Sequence, residues 1–278
     1  MTVIRLVATD LDGTLLGSDR TISARSAAAM AAARRAGIEI VWATARARHS
    51  VHEFARASGF RGMALCANGA VVLDLASGEP VITDVVAIDH ETGTAAIARL
   101  RELVPEVMFA SVGPSRFVAE PGYAELSVFA DHHRDPEQME LSSEQPAQFG
   151  EPVVKIVARH PTVPGIDLYR AASAAGIARV ALTHSGAPYL EMSAAGVSKA
   201  RALEQLCRDR GIGATQVAAI GDAVNDVPML AWAGTALCPA NAIAEVQALA
   251  HRVLPSNDDH AVAVYLEELV HAQRICAW

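Results

Sequence analysis

Several things are scarce in this 278-residue chain, and each scarcity excludes a class of protein. Lysine is nearly absent: only Lys155 and Lys199 occur, although the chain is 51% hydrophobic and 19% charged. Cysteine appears four times, at Cys66, Cys207, Cys238 and Cys276, with no C-x-x-C spacing. That scatter suits free thiols in a reducing compartment and fits neither a zinc site nor a disulfide framework. There is no run of basic residues and the net charge is −8, which excludes the basic stripe that nucleic-acid binding needs. The N-terminus has no long apolar stretch of the signal-peptide kind. Residues 227–244 carry no charge, but Pro228, Gly234, Pro239 and Asn241 interrupt them as a membrane helix would not be interrupted. They read as buried helix, turn, strand and turn. A cytoplasmic protein without membrane or nucleic-acid partners is expected.

What is present is an alternation of apolar strands with helices. The run Val3–Thr9 leads into Asp10, and Ser23–Ala36 reads as a helix with Ser23 as its N-cap and Gly37 at its end. "GIEIVWAT" is the next strand, "ARHSVHEFARAS" the next helix, and "GMALCANGAVVLD" a strand, a turn at Asn68-Gly69 and a returning strand. Nearly continuous apolar strands separated by helices predict a parallel sheet covered on both faces. Between residues 83 and 187 the pattern breaks into shorter strands and helices of α+β type, and the α/β pattern returns from residue 188 with "GVSKARALEQLCRDRG", "QVAAIGD", "VNDVPMLAWAG" and "TALC". The expected fold is therefore α/β: a Rossmann-like, doubly wound parallel sheet formed by residues 1–82 and 188–278, with residues 83–187 inserted as a second domain.

In such sheets ligands bind outside the carboxyl ends of the strands. Asp10 and Asp12 follow the first strand in "DLDGT", Thr44 follows the second, Asp222, Asn225 and Asp226 follow "VAAIG", and Lys199 opens a helix. Each has an ordinary reading taken singly, as a turn residue, a helix cap or a solvated lysine. Together they make coherent chemistry. Carboxylates gathered at one sheet edge repel one another unless a cation lies among them. Hard oxygen donors suit Mg²⁺, which also binds phosphate oxygens. Thr44 and Lys199 offer a hydroxyl and an ammonium to the far side of a phosphoryl group, backbone N–H groups at Leu11–Gly13 offer an anion nest, and an aspartate can act as nucleophile. An EF-hand reading fails, because the fifth and twelfth loop positions are Thr14 and Thr21.

Four motifs in order, "DLDGT" at Asp10–Thr14, "TAR" at Thr44–Arg46, "GVSKA" at Gly196–Ala200 and "GDAVND" at Gly221–Asp226, resemble the haloacid dehalogenase-like superfamily. The resemblance is closest to its Cof-type phosphatases with a type IIB cap, and "CANGA", "PYLEM" and "SNDDHAVAVYLEEL" add to it. It implies a Mg²⁺-dependent phosphomonoesterase acting on a small phosphorylated metabolite through an aspartyl-phosphate, with the insert as substrate-reading cap. Asp10 would be nucleophile and metal ligand. Asp12 would be general acid and then base, ligating the metal through its carbonyl. Asp222 and Asp226 would complete the metal site. Leu11, Thr44, Ala45, Arg46, Asn68, Gly69, Lys199 and Asn225 would contact phosphate or substrate. Ala45 departs from the family's usual glycine: a positive φ there would strain it, but a position that only offers its N–H to phosphate takes alanine without harm, which is the reading favoured; Ala223 and Ala261 are lesser departures. His132, His133, Arg134 and Arg116 are cap residues able to reach a ligand. Alternatives are a phosphotransferase or phosphomutase on the same scaffold, or a non-catalytic binder of a phosphorylated ligand. A response-regulator receiver domain fits poorly, being about half this length with its Thr and Lys much nearer the aspartate.

Overall fold

The computed structural model describes residues 3–127, 139–144, 150–184 and 188–276. The chain divides into two units, one of Met1–Ala45, Val51–Thr83 and Ser198–Trp278, the other of Arg46–Ser50 and Asp84–Val197.

The first unit is built on an eight-stranded sheet. Its strands are β1 (Leu6–Thr9), β2 (Glu39–Ala43), β3 (Met63–Cys66), β4 (Val71–Asp74), β5 (Val81–Val85), β12 (Val217–Ile220), β13 (Thr235–Pro239) and β14 (Arg252–Leu254), in the order β14-β13-β12-β1-β2-β3-β4-β5. The six from β14 to β3 pair in parallel, and β4 returns antiparallel to β3. From β1 the chain winds outward through β2 and β3, then later in the opposite direction through β12 to β14. The strand order thus reverses at β1, the point where open α/β sheets bind ligands.

Both faces are covered, which is why β1 and β12 are buried along their whole length. Leu6, Ala8, Val41, Leu65, Val217 and Ala219 pack with Leu203 and Cys207 of α6 (Lys199–Asp209), Met229 and Leu230 of α7 (Val227–Trp232) and Val246 of α8 (Ala244–Leu249). Toward the other face lie α1 (Ala24–Arg35) and α9 (Ala261–Cys276), packed on each other. There Trp42 of β2 stacks on Phe60 with ring centres 3.9 Å apart and donates to Met30 Sδ of α1 at 3.4 Å. The boundaries of α1 follow from its ends: Ser23 accepts from the Ser26 N–H, and Gly37 turns the chain at φ +84°.

In the second unit a six-stranded sheet runs β10-β11-β9-β6-β7-β8. It comprises β6 (Met108–Val112), β7 (Phe117–Ala119), β8 (Glu140–Leu141), β9 (Lys155–Arg159), β10 (Val180–Thr183) and β11 (Leu190–Ala194). All neighbours are antiparallel except β7 and β8. One face packs Phe109, Ile156, Ala158, Leu190 and Met192 against α3 (His90–Leu103) and α5 (Gly165–Ala174). Alternation then puts Lys155 and Glu191 on the opposite face, where Nζ and Oε1 lie 2.5 Å apart and both side chains are buried.

Several expectations need correction. The inserted unit ends at Val197, about ten residues beyond the expected return, because "LEMSA" is β11 and pairs with β9 and β10. The first strand starts at Leu6, since Val3 is exposed. The stretch after "GDA" is a short 3-10 turn followed by α7, with Pro228 at the helix start. Pro121 likewise opens α4 (Pro121–Leu126). Among the described residues no helix is long and apolar enough to cross a membrane.

Candidate active site

Sheet register brings the chemistry together. Thr9 of β1 pairs with Ile220 of β12 and Trp42 of β2. The residues beyond the strand ends, Asp10, Gly221-Asp222 and Thr44, therefore leave the sheet at one edge. Asp10 is anchored there by its own N–H, which donates to the Ile220 carbonyl at 2.9 Å.

After Asp10 the chain makes a wide turn, closed by the Leu16 N–H donating to the Leu11 carbonyl at 2.8 Å. Within it Asp12 (φ −72°, ψ 123°) and Gly13 (φ 73°, ψ 0°) have the dihedrals of a type II turn. Glycine is required at the second of these positions for its φ, and also for space: a Cβ there would lie 2.5 Å from Asp222 Oδ2. The expected anion nest at residues 11–13 thus takes the form of a type II turn, leaving the Asp12 side chain exposed. Thr14, to which the sequence reading gave no role of its own, donates its hydroxyl to Asp222 Oδ1 at 2.7 Å and ties this turn to the β12 loop.

Lys199 is the first residue of α6, capped by Ser198. Its side chain is 1% exposed, and Nζ donates to Asp10 Oδ1 and Asp226 Oδ1, each at 2.7 Å. The helix can begin this close because residue 69 is glycine: a Cβ would meet Ala202 Cβ at 2.6 Å and the Ser198 carbonyl at 2.9 Å. Asp226 Oδ2 accepts from the N–H groups of Asp222 (3.0 Å) and Ala223 (3.1 Å), which folds "GDAVND" into a compact loop. Asn225 Nδ2 donates to Asn68 Oδ1 at 3.2 Å, and the Asn68 N–H donates to the Thr44 carbonyl at 2.8 Å. Thr44 is fully buried at the end of β2. Ala45 is not among the residues with positive φ, so the feared strain does not arise.

Asp10, Asp222 and Asp226 each offer a carboxylate oxygen, all within 4.8 Å of one another. Three carboxylates around one ammonium leave the cluster with excess negative charge. Burial pushes the Asp10 carboxyl well above its usual range; Lys199 pulls it down, while Asp226, Asp222 and Asp12 push it up again. Asp222 is pushed up to about 6, first by burial, against the opposing hydroxyl of Thr14. Burial on its own would lower Lys199, yet Asp10 and Asp226 outweigh it and hold the ammonium above its ordinary value. The donor set, all hard oxygen with excess negative charge, fits a divalent cation, which Asp10 and Asp222 would hold. Asp226 has both oxygens engaged, one by Lys199 and one by backbone N–H groups. Its visible work is to orient the lysine and the loop.

Asp12, expected to reach a metal through its backbone carbonyl, sits on the turn that adjoins the three carboxylates. Arg46 belongs to the second unit, where its guanidinium donates to Ser50 Oγ at 3.1 Å. Also in that unit, Arg116 pairs with Glu140 at 2.6 Å. His132, His133 and Arg134 lie outside the described residues.

Comparison with known proteins identifies the family and the fold. A family model described as haloacid dehalogenase-like hydrolase matches residues 7–266. "Phosphatase YwpJ" of Bacillus subtilis is 29% identical over 293 aligned positions, covering 96% of this chain and all of that one. The same organism's "5-amino-6-(5-phospho-D-ribitylamino)uracil phosphatase YwtE" is 28% identical, covering 97% of this chain and 99% of its own. A solved haloacid dehalogenase-like hydrolase from B. subtilis superposes with a TM-score of 0.80 at 24% identity, over 96% of this chain and 100% of the other.

Proposed function

The chain belongs to the haloacid dehalogenase-like hydrolases, and we propose that within this family it is a Mg²⁺-dependent phosphomonoesterase for a small phosphorylated metabolite. The observation that carries the reading is the placement of Asp10. It is a buried carboxylate at the strand-order reversal, with Oδ1 held by Lys199 at 2.7 Å. With Oδ1 fixed, Oδ2 is the atom presented for attack. The Oδ2–P bond forms as the bond from phosphorus to the leaving oxygen breaks, giving an aspartyl-phosphate.

The leaving alkoxide needs a proton, and Asp12, exposed and two residues from the nucleophile, supplies it. In the second step Asp12 takes a proton from water as the water oxygen attacks phosphorus, releasing phosphate and restoring Asp10. Lys199 has a third N–H beyond its two carboxylate bonds and uses it on a phosphoryl oxygen, beside the Thr44 hydroxyl. The side chains of Asp10 and Asp222 and the carbonyl of Asp12 would hold Mg²⁺, which when bound neutralises phosphate charge. Thr14 and Asp226 keep Asp222 and Lys199 in place. The second unit serves as the cap that reads the leaving group. The substrate is a sugar phosphate or a phosphorylated cofactor or flavin precursor, a range that takes in the ribitylaminouracil phosphate of the YwtE relative's name.

The test is phosphate release from a panel of phosphorylated sugars and cofactor precursors, with and without Mg²⁺, alongside Asp10→Asn. Turnover that requires the cation and disappears in Asp10→Asn supports the reading, and the best panel member names the substrate class. Equal release by wild type and variant, or none from any compound, overturns it.

A further inference from the structure

Two asparagines to which no role has yet been given grip the loop that carries Asp10 and Asp12. Asn241 lies between β13 and α8, and Asn257 lies ahead of α9. Asn241 Nδ2 donates to the Gly13 carbonyl at 2.8 Å, while its Oδ1 accepts from the Asn257 N–H at 2.9 Å. Asn257 Nδ2 in turn donates to the Leu16 carbonyl at 2.9 Å. Each partner is a backbone group of one polarity, so both amides can face only one way. The result is a brace reaching from the end of β13, past β12, to the loop that follows β1.

The position of the brace is specific. Gly13 is the second central residue of the type II turn whose first is Asp12. Anchoring the Gly13 carbonyl fixes the rotation of that turn, and with it the direction in which the Asp12 carboxyl projects. On its other side the turn is held by Thr14, through Asp222. Asn241 is itself exposed. Replacing it opens no cavity, so the loss falls on the placement of the turn.

We propose that Asn241 and Asn257 are positioning residues that set Asp12 for proton transfer to the leaving group. The inference rests on the phosphatase reading above, and its test separates the two. An aryl phosphate such as p-nitrophenyl phosphate departs without a proton, whereas an alkyl phosphate does not. The kcat/KM value reports formation of the aspartyl-phosphate alone, so the two substrates are compared on kcat/KM.

In Asn241→Ala and in Asn241→Asp, which sets a carboxylate oxygen against the Gly13 carbonyl, kcat/KM for the best alkyl phosphate should fall roughly ten- to a hundredfold. For the aryl phosphate it should fall less than about threefold, and a burst of p-nitrophenolate should appear as Asp12-assisted hydrolysis of the intermediate becomes limiting. Asp12→Asn should show the same selectivity more strongly, and thermal melts should place the Asn241 variants within a few degrees of wild type. A proportional loss on both substrates, or no loss on either, overturns the positioning role while the phosphatase reading stands. An Asp12→Asn variant with no leaving-group selectivity overturns the Asp12 assignment and this inference together.

Discussion

Asp222→Asn should make the metal-free protein more stable at neutral pH while destroying its activity. In the fold the Asp222 carboxyl is pushed up to about 6 from an ordinary 3.8, chiefly by burial and in part by Asp226. Between those values the native state holds a proton that the unfolded chain has already released. The stabilisation due to this group is therefore present below about pH 4 and is lost as pH rises through about 6. At pH 7 the full penalty of an ionised, crowded carboxylate is in force. A shift of about two units corresponds to a ceiling near 3 kcal/mol, and partial exposure reduces this to about 1–3 kcal/mol.

Asparagine has nearly the same shape, retains an oxygen for the Thr14 hydroxyl, and carries no charge. The assay is thermal unfolding in EDTA across pH 4 to 8. At pH 7 the variant should melt higher by roughly 2–4 °C for each kcal/mol. The gap should open between about pH 4 and 6 and then stay level. Millimolar Mg²⁺ should raise the wild-type melting temperature and scarcely move the variant, since only the wild type keeps both carboxylates for the ion. A variant less stable than wild type at pH 7 in EDTA, or a gap of the same size at pH 4 and pH 7, would refute the reasoning.

Two further perturbations test packing against function. Lys155→Met leaves Glu191 buried without its ammonium and should cost about 3–5 kcal/mol, read as a lower urea midpoint for the intact chain. Replacing both partners, Lys155→Met with Glu191→Leu, should recover most of that loss; a single variant as stable as wild type refutes the account. Gly13→Ala forces a side chain onto φ 73° and toward Asp222, and should cut phosphate release more than tenfold. Gly37→Ala, at φ 84° with nothing within 4 Å, should cost about 1–2 kcal/mol in a denaturant titration and leave activity intact. Equal activity losses in the two variants would contradict the proposed clash.

The strands that carry the site were legible because parallel strands buried on both faces are nearly continuous apolar runs. An aspartate at the end of such a run is conspicuous, as at Asp10 and Asp222. β11 was missed for the converse reason. Glu191 interrupts its apolar pattern, and a buried glutamate makes sense only once Lys155, 36 residues away in sequence, is seen beside it. The short pieces α8 and β14 have too few residues to show a period and are set by packing on β13. At the site, residue types were readable but the division of labour among oxygens was not. That Asp226 orients Lys199 and the loop, and that Thr14 fastens Asp222, depends on contacts up to 208 residues apart. Asn241 reads as a turn residue and Asn257 only as part of a C-terminal signature, since their partners Gly13 and Leu16 lie at the opposite end of the chain.

Local preference and position conflict at these same residues, and the conflict has a direction. A lysine as the first residue of α6 sets its charge against the positive end of the helix dipole, where an acidic or neutral side chain would be favoured. Asp10 is buried and Asp222 half-buried, with more negative charge around them than Lys199 can offset. The surrounding core of Leu6, Val41, Leu203, Val217 and Met229 is apolar and well buried, and would accept a hydrophobic edge without difficulty. Folding alone therefore does not account for these three charges. An edge that is unfavourable when empty and relieved by a cation and a phosphoryl group is what a phosphate-transferring site requires, because part of the binding energy of both ligands is stored in the fold as unrelieved charge.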